Sequence, residues 1–245
     1  MESRNYLVAP RILPWEQTKK LPVRTNAAIT RSIETEWHGK RFRSRLEARW
    51  AVVFEAMCID WEYEPEGFEF DDGTRYLPDF LLHGIAGRSN SDVYVEVKGR
   101  MTAEDYEKVV ALSQSKPVYI VGDIPCGVLS TERDMSQWYA DMESSCYKWP
   151  YPYNFETVDG DHFGAFLGVA MSGKAELFGD DSNYLADAND VASSLPYLVA
   201  SKCRFEHGER PEDDPLFEAC TELVSALRMV EELKSSRTML DHKKS

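Results

Sequence analysis

Two acids and a lysine stand where such side chains are costly. Asp79 lies inside the apolar run Leu77-Pro78-Asp79-Phe80-Leu81-Leu82, and seventeen residues later Glu96-Val97-Lys98 closes the β-branched, alternating segment Val93 to Lys98. Side chains alternate along a strand, so Glu96 and Lys98 share one face while Val95 and Val97 turn to the other, toward a core. A carboxylate or an ammonium in an apolar run is unfavourable unless an opposite charge or a ligand pairs with it. Two carboxylates that converge and leave positions open suit Mg²⁺, which takes one or two carboxylates and keeps waters for a substrate. A lysine beside them can help deprotonate a water or neutralise charge developing on a phosphate.

Other residues compete for a place in this chemistry. Glu47 lies on a helical wheel about 20° from Phe54, at the edge of an apolar stripe. It reads either as a member of the site or as the third residue of a capping box, Ser44-x-x-Glu47, returning a hydrogen bond to the Ser44 backbone. Lys40, Arg41, Arg43, Arg45 and Arg49 form the one dense basic run. Near a helix amino terminus, Lys40, Arg41 and Arg43 are candidate phosphate contacts, and a solvated or ion-paired face is the competing reading. Arg45 and Arg49 fall on the flank opposite Glu47. Glu62, Glu64, Glu66 and Glu69 alternate as a solvated acidic face, with Glu64 or Glu66 as outside candidates for the site. The five histidines show no ligand spacing.

The elements that must position these residues follow from periodicity. Leu46, Trp50, Val53, Phe54 and Met57 recur at intervals of 3 and 4, a helix from Ser44 that stops near Cys58. Extended segments are expected at Trp61 to Glu64, Phe68 to Phe70 with the turn Asp71-Asp72-Gly73, Tyr76 to Leu82, and Val93 to Lys98. Thr102 is expected to cap a helix running to about Gln114, and Pro117 to Val121 reads as a buried strand. Residues 1–36, with Pro10, Pro14 and Pro22, form an N-terminal arm. Residues 37–125 form an α/β core. Residues 126–245 form an α-rich C-terminal extension, with an irregular aromatic insertion at 147–166 and a helix at 213–237. In that helix Leu216, Cys220, Leu223, Leu227 and Val230 make a stripe that packs on its own chain or seams a homodimer or a protein partner.

With these elements in place, the sequence resembles the PD-(D/E)XK nuclease superfamily, the restriction-endonuclease-like fold. Pro78-Asp79 and Glu96-Val97-Lys98 are similar to the two halves of its motif, and helix, three strands, helix, strand is similar to its αβββαβ core with a mixed sheet. The run WHGKRFRSRLEARWAVVFEAMCIDWEYEPEGFEF, then YLPDF and YVEVKG, is similar to small nuclease-like proteins of bacteria and their phages. The resemblance covers about residues 37–123. It implies Mg²⁺-dependent hydrolysis of phosphodiester bonds, most naturally in DNA, with Mn²⁺ able to substitute. Asp79 and Glu96 would be metal ligands, the Val97 carbonyl a further ligand, Lys98 the catalytic base or charge stabiliser, and Glu47 a residue orienting water or a second metal.

Composition constrains this expectation without deciding it. The 245 residues are 43% apolar and 29% charged, enough for a generous core and inconsistent with a disordered or fibrous chain. No stretch has the roughly 18 consecutive apolar residues of a membrane span, and the first twenty residues lack a secretory hydrophobic region, so a soluble cytoplasmic protein is expected. Five scattered cysteines, never paired as CxxC, read as free thiols. The net charge of −14 is uneven: residues 1–50 hold 11 Lys+Arg against 5 Asp+Glu. Screening confines each local field to about 10 Å, so a basic segment can meet phosphates on an acidic protein. The competing class is a non-catalytic protein of the same fold, such as an acidic phage inhibitor that mimics DNA.

Overall fold

The computed structural model describes residues 32–85, 91–99, 103–113, 115–124, 153–155, 162–179, 188–206 and 209–242. A hairpin opens it: β1 (Thr35–Trp37) and β2 (Lys40–Phe42) are joined by His38-Gly39, both with positive φ (49° and 69°), the turn whose twist matches the flanking strands. Helix α1 (Arg45–Ala56) follows, with Ser44 as N-cap accepting from the Glu47 N–H, and the chain leaves it through Cys58 in the left-handed region. Then come β3 (Trp61–Tyr63), β4 (Phe68–Glu69), β5 (Arg75–Tyr76), β6 (Phe80–Ile85), β7 (Ser91–Val97), α2 (Ala103–Ser113) and β8 (Val118–Val121). Next are β9 (Tyr153–Phe155), β10 (His162–Val169), β11 (Ala175–Gly179), α3 (Asp190–Lys202), a 3₁₀ turn (Pro211–Asp213) and α4 (Pro215–His242).

The protein is mixed α/β. Its central sheet has seven strands in the order β11-β10-β9-β8-β7-β6-β3, and β7 with β8 is the parallel pair, connected through α2. Alternation then sorts two cores. Val93, Val95 and Val97 turn with Phe80, Leu82, Tyr119 and Val121 toward α1, whereas Tyr94 turns with Val118 and Ile120 toward Val109 and Leu112 of α2 and toward Tyr76 of β5. Both sheet faces are therefore covered. Helix α1 is buried nearly all round rather than along one stripe, because α3 and α4 pack against the side that faces away from the sheet. Phe54 meets Phe80 edge-on at 5.2 Å, Trp50 meets Tyr197 edge-on at 5.8 Å, and the Trp50 indole donates to the Gly122 carbonyl (2.8 Å). Truncating fully buried Phe54 to alanine should cost about 3–5 kcal/mol.

Three expectations need correction. The strand expected over Tyr76 to Leu82 is two strands in different sheets. Tyr76 belongs to the separate β4–β5 hairpin and Phe80 opens β6, because the Leu77-Pro78 step interrupts the ladder. Residues 126–245 carry the long helices α3 and α4, as expected of an α-rich extension, but also β9, β10 and β11, which extend the same sheet that carries Glu96. The helical stripe splits as well: Cys220 is buried and Leu216, Leu223 and Leu227 pack on the core, but Val230 is 49% exposed. Helix α4 continues to His242 with Met229, Leu233 and Met239 also exposed. Intrachain packing thus accounts for the stripe only as far as Leu227. Thr102, Gln114, Cys126, Cys146, the arm to residue 31 and most of 147–166 lie outside the described residues. Cys58, Cys203 and Cys220 are free thiols.

Candidate active site

The site lies where the start of β6 meets the end of β7. Two backbone bonds fix Asp79 just before β6: its N–H donates to the Val95 carbonyl (3.1 Å) and its carbonyl accepts from Glu64 (2.9 Å). Its side chain, 2% exposed, accepts from the Val97 N–H through Oδ2 (2.8 Å) and from the Arg43 guanidinium through Oδ1 (2.6 Å). Glu96, 3% exposed, is on the face of β7 covered by α2 and the β4–β5 hairpin. Its Oε2 accepts from the Tyr76 hydroxyl (2.5 Å), and its Oε1 pairs with Lys98 (2.8 Å), which in turn lies 3.8 Å from Asp105 at the start of α2. The alternation of Glu96 and Lys98 on one face is realised, and the residues they meet there, Tyr76 and Asp105, come from β5 and from the start of α2.

Glu47 serves its helix and reaches toward the same acids. Its Oε1 accepts from the Ser44 hydroxyl (2.7 Å), while Oε2 accepts from the Tyr63 hydroxyl (2.6 Å) and the Arg43 N–H (3.1 Å). The returned capping bond therefore goes to the backbone of Arg43, one residue before the cap, instead of Ser44. Glu47 is 6% exposed.

Burial first, then the charges of Glu96 and Glu47, push the Asp79 carboxyl upward, against the pull of the Val97 N–H and Lys98. For Lys98, burial disfavours the charge, but Glu96, Asp79 and Asp105 outweigh it and raise the ammonium above its ordinary value. The Tyr76 and Tyr63 hydroxyls are driven well up by burial and by the glutamates they contact, so both are donors, not phenolates, at neutral pH. The arrangement is an excess of buried carboxylate oxygen held in place by a few fixed donors. Such a set suits a hard cation. No family model and no curated protein sequence matches this chain.

The basic run does not form one patch. Lys40 and Arg41 point to opposite faces of the β1–β2 hairpin, Lys40 over the Trp61 ring (4.2 Å) and Arg41 to Glu34 (3.3 Å). Only Arg43 joins the acids, held by Asp79 and by Glu64 (2.8 Å). Arg45 pairs with Glu206 (2.8 Å) and Arg49 donates to the Cys203 carbonyl (2.7 Å), so both tie α1 to the segment after α3. Of the four alternating glutamates, Glu64 reaches the site rim through Arg43, Glu66 accepts from Tyr94, Glu69 pairs with Arg75 and Glu62 with His83.

Sequence reasoning missed Tyr63 and Tyr76. A tyrosine in a short strand reads as core surface, and the one available signal was a phenol beside an acidic alternation whose hydroxyl, once buried, needs a partner. Among the described residues no group of three or more His, Cys, Asp or Glu side chains is arranged to hold a metal ion. No helix among them is long and apolar enough to cross a membrane.

Proposed function

We propose that this protein is a Mg²⁺-dependent nuclease of the PD-(D/E)XK type, acting on phosphodiester bonds, most naturally in DNA. The observation that carries the reading is the burial of two carboxylates, Asp79 just before β6 and Glu96 on β7, 2% and 3% exposed, with Asp79 held by the Val97 N–H and Glu96 paired with Lys98. Two buried carboxylates are costly in a purely structural role, whereas a divalent-cation site makes use of them. The element order α1, β3, β6, β7, α2, β8, with β7 and β8 parallel, supports the αβββαβ resemblance.

The donors fit a hard divalent ion, being all oxygen and crowded enough to raise the Asp79 carboxyl. Asp79, Glu96 and the Val97 carbonyl would hold it. Bound there, it would supply Lewis-acid stabilisation of a phosphoryl oxygen and acidify a water. Lys98 keeps a positive charge next to Glu96, able to meet charge developing on a phosphate. Tyr76 fixes Glu96, and the Val97 N–H fixes Asp79, so neither acid needs to reorganise. Glu47, at the amino end of α1, is close enough to raise the Asp79 carboxyl and is the candidate for orienting water.

The net charge of −14 favours the competing reading, an acidic binding protein on the same fold. The deciding experiment incubates purified protein with plasmid DNA, linear DNA and RNA in Mg²⁺, in Mn²⁺ and in EDTA, beside Asp79→Asn, Glu96→Gln and Lys98→Met. Cleavage that needs the metal and all three residues supports a nuclease. Absence of cleavage from every substrate in either metal would favour the binding protein, and wild-type cleavage by all three variants would remove the site assignment.

A further inference from the structure

The nuclease reading, on which this inference rests, leaves one contact unexplained. Each oxygen of Asp79 and Glu96 already has a protein partner: Arg43 and the Val97 N–H on Asp79, Lys98 and Tyr76 on Glu96. The Val97 and Tyr76 donors are fixed, one by the β7 backbone and the other in a side chain 7% exposed. Arg43 differs. Its backbone is anchored, the N–H donating to Glu47 (3.1 Å) and to the Tyr63 hydroxyl (3.0 Å), yet its side chain is 55% exposed and spans from solvent to the buried Oδ1 of Asp79. A guanidinium on that oxygen competes with a divalent ion for its lone pairs and repels it. Arg43 also has a second partner on the outer side, Glu64, whose side chain is 32% exposed.

We infer that the Arg43 guanidinium is a placeholder cation: it neutralises Asp79 while the cation site is free, and when a divalent ion takes Asp79 it swings outward to a backbone phosphate of the bound nucleic acid. Metal and nucleic acid then bind cooperatively through one side chain, and the coupling is reciprocal by linkage. The device explains why an arginine that reads as a phosphate contact is instead found on an acid. It also keeps Asp79 from lying uncompensated in the metal-free protein.

The test measures Mg²⁺ and Mn²⁺ binding by calorimetry and by thermal shift, and binding of a short DNA duplex by fluorescence anisotropy in Ca²⁺ and in EDTA. The wild type is compared with Arg43→Gln, Arg43→Met and Asp79→Asn, and the methionine variant serves if glutamine impairs folding. Removing the competitor should tighten metal binding by about tenfold in Arg43→Gln. In the wild type Ca²⁺ should strengthen duplex binding at least fivefold, and Arg43→Gln should lose most of that gain. Metal affinity unchanged or weaker in Arg43→Gln, with the wild type binding normally, overturns the placeholder and leaves the nuclease reading standing. Failure of wild type and variants alike to bind either metal overturns the metal site and the inference with it.

Discussion

Glu47 allows the sharpest test of how stability and chemistry are shared in this site. Its carboxylate, 6% exposed, is the acceptor for the Ser44 and Tyr63 hydroxyls at 2.7 and 2.6 Å and for the Arg43 N–H at 3.1 Å. Glu47→Ala leaves both hydroxyls without this acceptor, while the Arg43 N–H keeps the Tyr63 oxygen at 3.0 Å. Two lost bonds to a charged group, at about 1.5 kcal/mol each, put the expected destabilisation near 3 kcal/mol. For a chain of this length that is a fall of roughly 6–12 °C in Tm. Glu47→Gln should cost about half as much, since its amide oxygen can replace Oε2 but its NH₂ faces a Ser44 oxygen already accepting from the Glu47 N–H at 3.1 Å. A cycle with Tyr63→Phe isolates the tyrosine bond, with an expected coupling of about 1–2 kcal/mol. The assays are thermal and urea unfolding without divalent ions, then cleavage rate well below Tm. A rate loss of tenfold or more in Glu47→Gln, about 1.4 kcal/mol of barrier, gives the residue a place in the chemistry beyond its cap. Variants that unfold within 1 °C of wild type would refute the network argument, and a wild-type rate in Glu47→Gln would return the residue to structure alone.

The remaining predictions are briefer. Mg²⁺ at a hundredfold excess over its Kd should stabilise the wild type by about 2.7 kcal/mol, and Asp79→Asn should abolish that thermal shift. Tyr76→Phe should lower stability by about 1.5–3 kcal/mol in urea unfolding, because it strips a buried carboxylate of a 2.5 Å donor; an unchanged midpoint would contradict that role. His83 is the pH-dependent pair: partial burial opposes its charge, but Asp92 and Glu62 outweigh that and raise it above its ordinary value. Its contribution, on the order of 0.5 kcal/mol for so exposed a pair, is full below about pH 6.5 and is lost as pH rises through the raised folded value. His83→Asn should flatten urea midpoints measured across that window. Gly173→Ala should destabilise by roughly 2 kcal/mol or more, since Gly173 has φ +78° and an added Cβ would lie 2.6 Å from the Arg228 backbone nitrogen of α4; a neutral substitution would mean the turn and helix separate at little cost.

Much of the site's local geometry was legible because periodicity is local. The 3 and 4 spacing from Leu46 to Met57 located α1, and alternation put Glu96 beside Lys98 before any partner was known. What escaped was tertiary. Alternation marks Val95 and Val97 as facing a core but says nothing of the opposite face, which α2 and the β4–β5 hairpin also cover and where Glu96 becomes buried. Arg43 read as a surface cation because the link from β2 to α1 carries no period that would aim it at Asp79. Strand β10 is interrupted by Gly164 and Gly168, and α3 holds Pro196 in its interior, so neither matched its template. Gly173 between two apolar runs was the available hairpin signal for β10 and β11.

The pairing of β9 with β8 has a consequence for how the chain can be divided. Val118–Val121, apolar and rich in β-branched residues, is buried on both faces, with β7 along one side and β9 along the other, Val118 opposite Phe155. Cut after residue 125, the half that bears Asp79, Glu96 and Lys98 would end its sheet in that strand, a sticky template with bare N–H and C=O groups and no charge to deter another copy. The strands of the second half cover that edge, so a fragment ending at residue 125 is expected to self-associate where the full chain does not, even though the candidate chemistry lies in the first half.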